Sequence, residues 1–172
     1  KKIIGFGIKG WVHSRVVLDK YKDRNDIFFI SIGCPNIETP NKNHRAVKQI
    51  ANKEILSKYL STFDIFLYPT QGDTFGLIAA EAMSCGTPVV TYNTDALPEI
   101  VTHKKSGYIA KYENPDDLKN GIDYILNLPK EDYEGMCTEA RIKVEKNFTL
   151  EKMYQEYLGL YKKLLLSSDN KR

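Results

Sequence analysis

The stretch GDTFGLIAAEAMSCGTPVV, residues 72–90, decides the fold of this 172-residue chain. A loop with two glycines, an acid and a threonine leads into an apolar, alanine-rich segment, residues 75–85, which predicts a helix. Gly86 follows as a C′ glycine that ends this helix, and a β-branched run begins directly after it. The stretch therefore predicts a loop, a helix and a strand, with two carboxylates, Asp73 and Glu81, on the loop and the helix.

Strand-like and helix-like segments alternate outward from this unit in both directions. The C-terminal third is helical, and its first helix is predicted to have Asn114 as N-cap and Pro115 at its first position. Alternation of this kind predicts right-handed crossovers and an α/β fold: a Rossmann-like, doubly wound parallel sheet of about six strands flanked by helices. The predicted strands, each short, apolar and rich in β-branched or aromatic residues, are 1–8, 26–33, 45–50, 64–70, 87–93 and 107–111.

Composition limits the class of protein and its surroundings. The chain is 42% hydrophobic and 27% charged, as in a soluble globular protein. The net charge of +3 suits an anionic ligand or an anionic membrane surface and does not decide between them. Three widely separated cysteines favour a reducing compartment and argue against a zinc site. We expect one domain over residues 1–172, located in the cytoplasm. A location at the inner face of the cell membrane is the alternative that composition does not decide.

The quoted stretch offers binding groups in a defined order. Thr74 or Asp73 is predicted to cap the helix, whose first free N–H groups and dipole form an anion site. A carboxylate accepts both hydroxyl protons of a vicinal diol, so Asp73 and Glu81 are candidate sugar ligands on either side of that anion site. Hexose, diphosphate and ribose follow one another in the same order in a nucleotide sugar. The alternative is structural, because the helix dipole favours an acid near an N-terminus with or without a ligand.

The same stretch closely resembles the E-x7-E signature of family-4 retaining glycosyltransferases of the GT-B fold, glycosyl transferases group 1. The resemblance extends to both sides. LSKYLSTFDIFLYPT is similar to the helix and strand that lead into the signature, and ALPEIVTHKKSGYIAKYENPDDL is similar to the segment that follows it. NFTLEKMYQEYLGLYKKLL resembles the final helix of the family. The resemblance covers nearly all of the chain from Leu56 onward, and the earlier strands more loosely.

By this resemblance the chain is the C-terminal, donor-binding half of a GT-B enzyme. The implied reaction is transfer of a hexose from a nucleoside diphosphate sugar to an acceptor hydroxyl with retention, in surface polysaccharide or glycolipid biosynthesis. The acceptor-binding N-terminal domain is expected to be absent from this fragment, which lacks an initiator methionine, and the fragment alone is expected to be inactive. The implied partners are the nucleotide-sugar donor, an acceptor that is a glycan or a lipid-linked sugar, and the missing domain. Peripheral contact with a membrane is a further possibility that the resemblance does not decide. No cofactor, metal or nucleic acid is expected.

The resemblance also implies roles for individual residues. Asp73 contacts the transferred sugar, and Glu81 holds the ribose hydroxyls. Two cations, Lys9 and Arg15, are candidates to neutralise the leaving diphosphate, and their spacing does not decide between them. The loop and the start of the helix are implied to offer backbone N–H groups, and Gln49 and Ile50 to contact the base. The full donor-binding set implied in this way is Thr74, Phe75, Gly76, Leu77, Glu81, Gln49 and Ile50.

The sequence departs from the family pattern in three places. Asp73 replaces the usual glutamate and is one methylene shorter. The segment NTDALPE lacks the paired glycines often found there, which predicts a stiffer loop, and GFGIKGWVHSR lacks a clean Gly-Arg…Lys-Gly element. A nucleotide-sugar binding module without transferase activity, or one half of a GT-B-type epimerase, remains the alternative function. The three histidines are predicted at the surface because no pair of them has metal-ligand spacing.

Overall fold

The structure, a computed structural model, describes residues 1–33 and 41–169, with side chains as far as residue 166. Its centre is one sheet in which six parallel strands follow the order β3-β2-β1-β4-β5-β6. The strands are β1 (Lys2–Gly7), β2 (Ile27–Ile32), β3 (His44–Val47), β4 (Ile65–Tyr68), β5 (Val89–Tyr92) and β6 (Gly107–Ala110). All six predicted strands are confirmed, and so is the doubly wound parallel topology.

Helices cover both faces of the sheet. They are α1 (Trp11–Lys20), α2 (Lys53–Thr62), α3 (Leu77–Ser84), α4 (Leu97–Ile100), α5 (Pro115–Leu126), α6 (Lys130–Asn147) and α7 (Leu150–Asp169). Successive residues of a strand point to opposite faces. Along β4, Ile65 therefore belongs to the core on the α1 and α5 side, whereas Phe66 and Tyr68 belong to the core beneath α2, α3 and α6. Burial on both faces explains why the strands read as continuous apolar runs.

The sheet reverses its winding direction between β1 and β4. In an open parallel sheet, ligands bind at such a switch point, outside the carboxyl ends of the strands. The loops after β1 and β4 touch there because Gly10 has no side chain: a Cβ on Gly10 would lie 2.2 Å from the Pro69 carbonyl oxygen. This close approach brings the β1–α1 loop against the β4–α3 loop, which contains Asp73.

The last helix, α7, carries an apolar face that the rest of the described chain leaves uncovered. Tyr154, Tyr157 and Tyr161 are 54–58% exposed, and Leu160, Leu164 and Leu165 are exposed as well. This part of the chain therefore presents apolar surface. Among the residues that the structure describes, none of the helices is both long and apolar enough to span a lipid bilayer.

The sequence predicts all three histidines at the surface, and this prediction is wrong for two of them. His13 is half-buried, with Nδ1 2.6 Å from the Tyr92 hydroxyl, and the His44 ring stacks on Phe6. Both rings lie over the apolar ends of strands, a tertiary contact that spacing along the sequence does not reveal. His103 is exposed, as predicted.

Candidate functional site

A cavity of about 450 Å³ lies at the carboxyl ends of β1, β2 and β4. It occupies the switch point of the sheet, between the β1–α1 loop and the start of α3. Neither Arg15 nor Glu81 is among its described lining residues, and Arg15 is exposed on α1. The predicted site residues that line it are Lys9, Gln49, Ile50, Asp73, Thr74, Phe75 and Leu77.

Asp73 is the most heavily bonded polar group in this cavity. Its Oδ2 accepts hydrogen bonds from Lys9 Nζ, at 2.9 Å, and from the Tyr68 hydroxyl. Within the described residues, its Oδ1 accepts only a long contact, 3.4 Å, from the Phe75 N–H. The Asp73 side chain is 14% exposed, whereas that of Lys9 is 54% exposed. The structure thus brings Lys9, and not Arg15, to the predicted sugar-binding carboxylate.

The network fixes the charge state of Asp73. Partial burial disfavours the carboxylate, but the hydrogen bonds from Lys9, Tyr68 and Phe75 outweigh it and lower the pKa of Asp73 to about 2. Burial, reinforced by the neighbouring carboxylate, raises the pKa of Tyr68 far above its ordinary value. At neutral pH Asp73 is therefore a carboxylate and Tyr68 a protonated phenol.

The start of α3 differs from the prediction. Neither Thr74 nor Asp73 caps the helix, because the N-cap is Gly76, a left-handed residue with φ 91°, and no side chain accepts from the first turn. The chain enters the helix through this glycine, which leaves Asp73 outside the helix and turned toward Lys9 and Tyr68. Within the described residues, the N–H groups of Leu77 and Ile78 have no protein acceptor. The helix therefore presents free donors and its positive dipole end beside the cavity.

Glu81 is the fifth residue of α3, since the helix begins at Leu77. It therefore lies about 6 Å along the axis from the first residue of the helix. In a helix that begins at Phe75, as the sequence predicts, that distance would be about 9 Å. Residues four apart share a helix face, so Glu81 lies one turn beyond Leu77, which lines the cavity. Its side chain is half-buried, and in the described part of the chain its carboxylate has no hydrogen bond or ion pair.

Two residues that contact Asp73 were missed at the level of sequence. Tyr68 reads as a core residue of the buried run IFLY, and only its place at the carboxyl end of a strand points to the site. Asp95 lies in the segment that lacks the paired glycines. It adopts the left-handed conformation itself, with φ 47°, and its Oδ2 accepts the Asp73 N–H at 2.9 Å.

In the part of the chain that the structure describes, no three His, Cys, Asp or Glu side chains are placed to hold a metal ion. Among the described residues that line the cavity, the charged groups are Lys9 and Asp73, which form an ion pair with each other.

A doubly wound parallel sheet with a cavity at its switch point places this chain in the class of open α/β domains that bind ligands at the carboxyl ends of their strands. Comparison with known proteins gives the family within this class. Residues 37–143, more than half of the chain, match the family model for glycosyl transferases group 1. The chain belongs to this family of glycosyltransferases.

Individual relatives agree with this assignment. The chain is 28% identical over 116 residues to an uncharacterized glycosyltransferase of Haemophilus influenzae, a match that covers 67% of this chain and 32% of the relative. Overall, the chain spans less than half the length of the first curated relatives it matches.

Solved structures show that the fold is that of one half of GT-B glycosyltransferases. Sucrose-phosphate synthase from Thermosynechococcus elongatus aligns with TM-score 0.80 and 21% identity, over 97% of this chain and 46% of that one. The C-terminal domain of a glycosyl transferase group 1 family protein from Francisella tularensis aligns with TM-score 0.72 and 17% identity, over 87% of both chains. Anabaena HepE, solved with UDP and glucose, aligns with TM-score 0.76 and 15% identity, over 94% of this chain and 48% of that one.

Proposed function

We propose that this chain binds a nucleoside diphosphate sugar at the β1/β4 cavity, as the donor-binding domain of a longer hexosyltransferase. The observation that carries the proposal is the Lys9–Asp73 pair, 2.9 Å apart, beside the uncapped N-terminus of α3. One small cavity thus combines a cation, two backbone N–H groups without an acceptor in the described chain, and a carboxylate that can accept a hydrogen bond from a sugar hydroxyl. Family membership supports the transferase activity, and Anabaena HepE, whose structure contains UDP and glucose, supports the class of donor.

The diphosphate is proposed to lie between Lys9 and the N-terminus of α3. Negative charge accumulates on the diphosphate as the bond to the sugar breaks. The N–H groups of Leu77 and Ile78 are fixed donors at that position, and the neighbouring Lys9 ammonium turns from Asp73 to join them, so together they stabilise the leaving group. Arg15, exposed on α1, is not needed in this arrangement.

The transferred sugar is proposed to bind Asp73 through Oδ1. Oδ2 already accepts from Lys9 and Tyr68, whereas among the described residues Oδ1 has only the 3.4 Å contact with the Phe75 N–H. One sugar hydroxyl can therefore donate to Oδ1 as a charge-assisted hydrogen bond. The shorter side chain of aspartate keeps this acceptor close to the loop.

The nucleoside is proposed to extend from the diphosphate in two directions. Its ribose hydroxyls reach Glu81, whose half-buried carboxylate has no partner in the described chain and lies one turn beyond Leu77. Its base reaches the end of the cavity formed by Gln49 and Ile50, whose backbone groups follow β3.

The remaining partners are proposed to approach from outside this domain. A groove of about 740 Å³ beside α7 is lined by apolar residues that include Phe75, Phe148 and Met153, and the chain spans under half the length of its first curated relatives. We propose that an acceptor-binding domain covers α7 in the whole protein. We also propose transfer with retention, independent of a metal ion, onto a glycan or lipid-linked acceptor in surface polysaccharide or glycolipid biosynthesis at the cytoplasmic side of the membrane.

A ligand panel tests the proposal. UDP-, GDP- and ADP-sugars are added to the chain, and the melting temperature is measured. A ligand at one hundred times its Kd stabilises the folded state by about 2.7 kcal/mol, which is readily detected. We expect at least one nucleotide sugar to raise the melting temperature, and Glu81→Ala to remove most of that increase.

Glu99→Ala provides the matched control, since Glu99 is an exposed helical glutamate away from the cavity. It is expected to respond as the parent does. A panel in which no nucleotide sugar shifts the parent rejects donor binding by this chain. An undiminished shift in Glu81→Ala rejects the ribose assignment alone.

A further inference from the structure

We propose that Tyr68 is a positioning residue that holds the Asp73 carboxylate in place for the transferred sugar. This inference rests on the proposed function, because it assigns the group that orients the sugar-binding carboxylate. It starts from the fact that two donors meet the same oxygen of Asp73, one from a lysine and one from a tyrosine.

Tyr68 is the more rigid of the two donors. It is the last residue of β4 and 1% exposed, its ring stacks on Phe66, and its carbonyl accepts from the Thr91 hydroxyl at 2.7 Å. Strand, ring stacking and burial therefore fix the position of the phenol oxygen. Its hydroxyl reaches the edge of the cavity, where it donates to Asp73 Oδ2.

Lys9 is a movable donor by comparison. Its side chain is 54% exposed and extends from the loop between β1 and α1. A diphosphate in the cavity carries more negative charge than one carboxylate, so it competes with Asp73 for the Lys9 ammonium. When the donor binds, Lys9 turns toward the diphosphate, and Tyr68 remains as the side-chain donor on Oδ2.

The consequence for Asp73 is a fixed orientation with one free oxygen. The hydroxyl of Tyr68 holds Oδ2 against the sheet, and the Phe75 N–H faces Oδ1 at 3.4 Å. Without the phenol, the carboxylate follows Lys9 toward the diphosphate and no longer presents Oδ1 to the sugar. Tyr68 therefore acts on the sugar through Asp73 and makes no contact with the nucleotide.

The test compares Tyr68→Phe with Tyr21→Phe in this chain. Tyr21 is equally buried, and its hydroxyl donates to the Asp123 carboxylate at 2.6 Å, far from the cavity. Calorimetry measures the Kd of two matched pairs, UDP with UDP-glucose and GDP with GDP-mannose. For the pair that the parent binds, we expect Tyr68→Phe to raise the Kd of the nucleotide sugar roughly tenfold and to leave the Kd of the nucleotide unchanged, in line with the loss of a hydrogen bond to a charged group. Tyr21→Phe changes neither.

A titration without ligand gives a second readout. Carboxyl NMR of Asp73 should show its pKa raised in Tyr68→Phe and unchanged in Tyr21→Phe. Equal losses of nucleotide and nucleotide-sugar binding in Tyr68→Phe, or no loss of either, overturn the positioning role. An unchanged pKa of Asp73 overturns it as well. A parent chain that binds neither pair and also no member of the UDP-, GDP- and ADP-sugar panel rejects the proposed function itself.

Discussion

The helices α3 and α5 begin in opposite ways, although both follow strands of the same sheet. The start of α5 is closed: Asn114 Oδ1 accepts from the N–H groups of Asp116 and Asp117, and these two acids complement the helix dipole. The start of α3 is open: its N-cap is the left-handed Gly76, its first turn has no acid, and no side chain caps it. A start that is closed in this way has its first N–H groups satisfied by its own cap. One that leaves them free beside a cavity and a lysine is suited to an anion.

The largest effect is expected at the glycine that opens α3. Gly76→Ala forces a left-handed alanine, which costs about 1–2 kcal/mol, and its methyl group would approach Leu97 Cδ2 within 2.8 Å. We expect urea unfolding to show a loss of roughly 2 kcal/mol or more. Gly86→Ala is the matched control, because it has φ 79° and its nearest neighbour is 3.9 Å away. Equal losses at the two sites would mean that the buried contact with Leu97 adds nothing.

A smaller effect is expected at the closed start of α5. Asn114→Ala removes the side-chain acceptor of two N–H groups, which costs about 1 kcal/mol of unfolding free energy. The affinity for nucleotides should not change, because α5 begins after β6, outside the lining of the cavity. Weaker nucleotide binding in this variant would contradict the view that the start of α5 is structural and the start of α3 binds the ligand.

The smallest effect is expected at the residue that was predicted to cap α3. Thr74 is exposed and its side chain makes no hydrogen bond in the described chain. Thr74→Ala should therefore change the free energy of unfolding by less than about 0.5 kcal/mol. A loss near that of Asn114→Ala would show that threonine caps α3 in solution and that its start is not open.

The sheet could be predicted from the sequence, whereas the details of the site could not. Short apolar runs separated by helical segments specify six parallel strands, and Asn114-Pro115 specifies the start of α5. The start of α3 was predicted wrongly because Asp73 and Thr74 are good caps in isolation. Tertiary contacts with Lys9 and Tyr68 hold Asp73 outside the helix.

The choice between Lys9 and Arg15 shows why the sequence was insufficient. Both follow β1, and their distance from Asp73 depends on how the β1–α1 loop meets the β4–α3 loop. That contact depends on Gly10 and Pro69, which lie far apart in the chain. Tyr68 was hidden for a related reason, since a buried aromatic residue in a strand predicts core packing unless its hydroxyl is traced to a partner. The roles of these residues toward a donor stay predictions.

The central place of β1 has a consequence for how the chain folds. Ile4 pairs with Phe29 on one side and with Ile65 on the other, so the second pairing closes a loop more than twice as long. Each doubling of loop length costs only about 0.6 kcal/mol of entropy, but distant pairings slow the search for the native topology. We expect β1 and β2 to associate early, whereas β4, whose pairing with β1 completes the cavity, joins late. The switch point is then the last part of the sheet to acquire its shape.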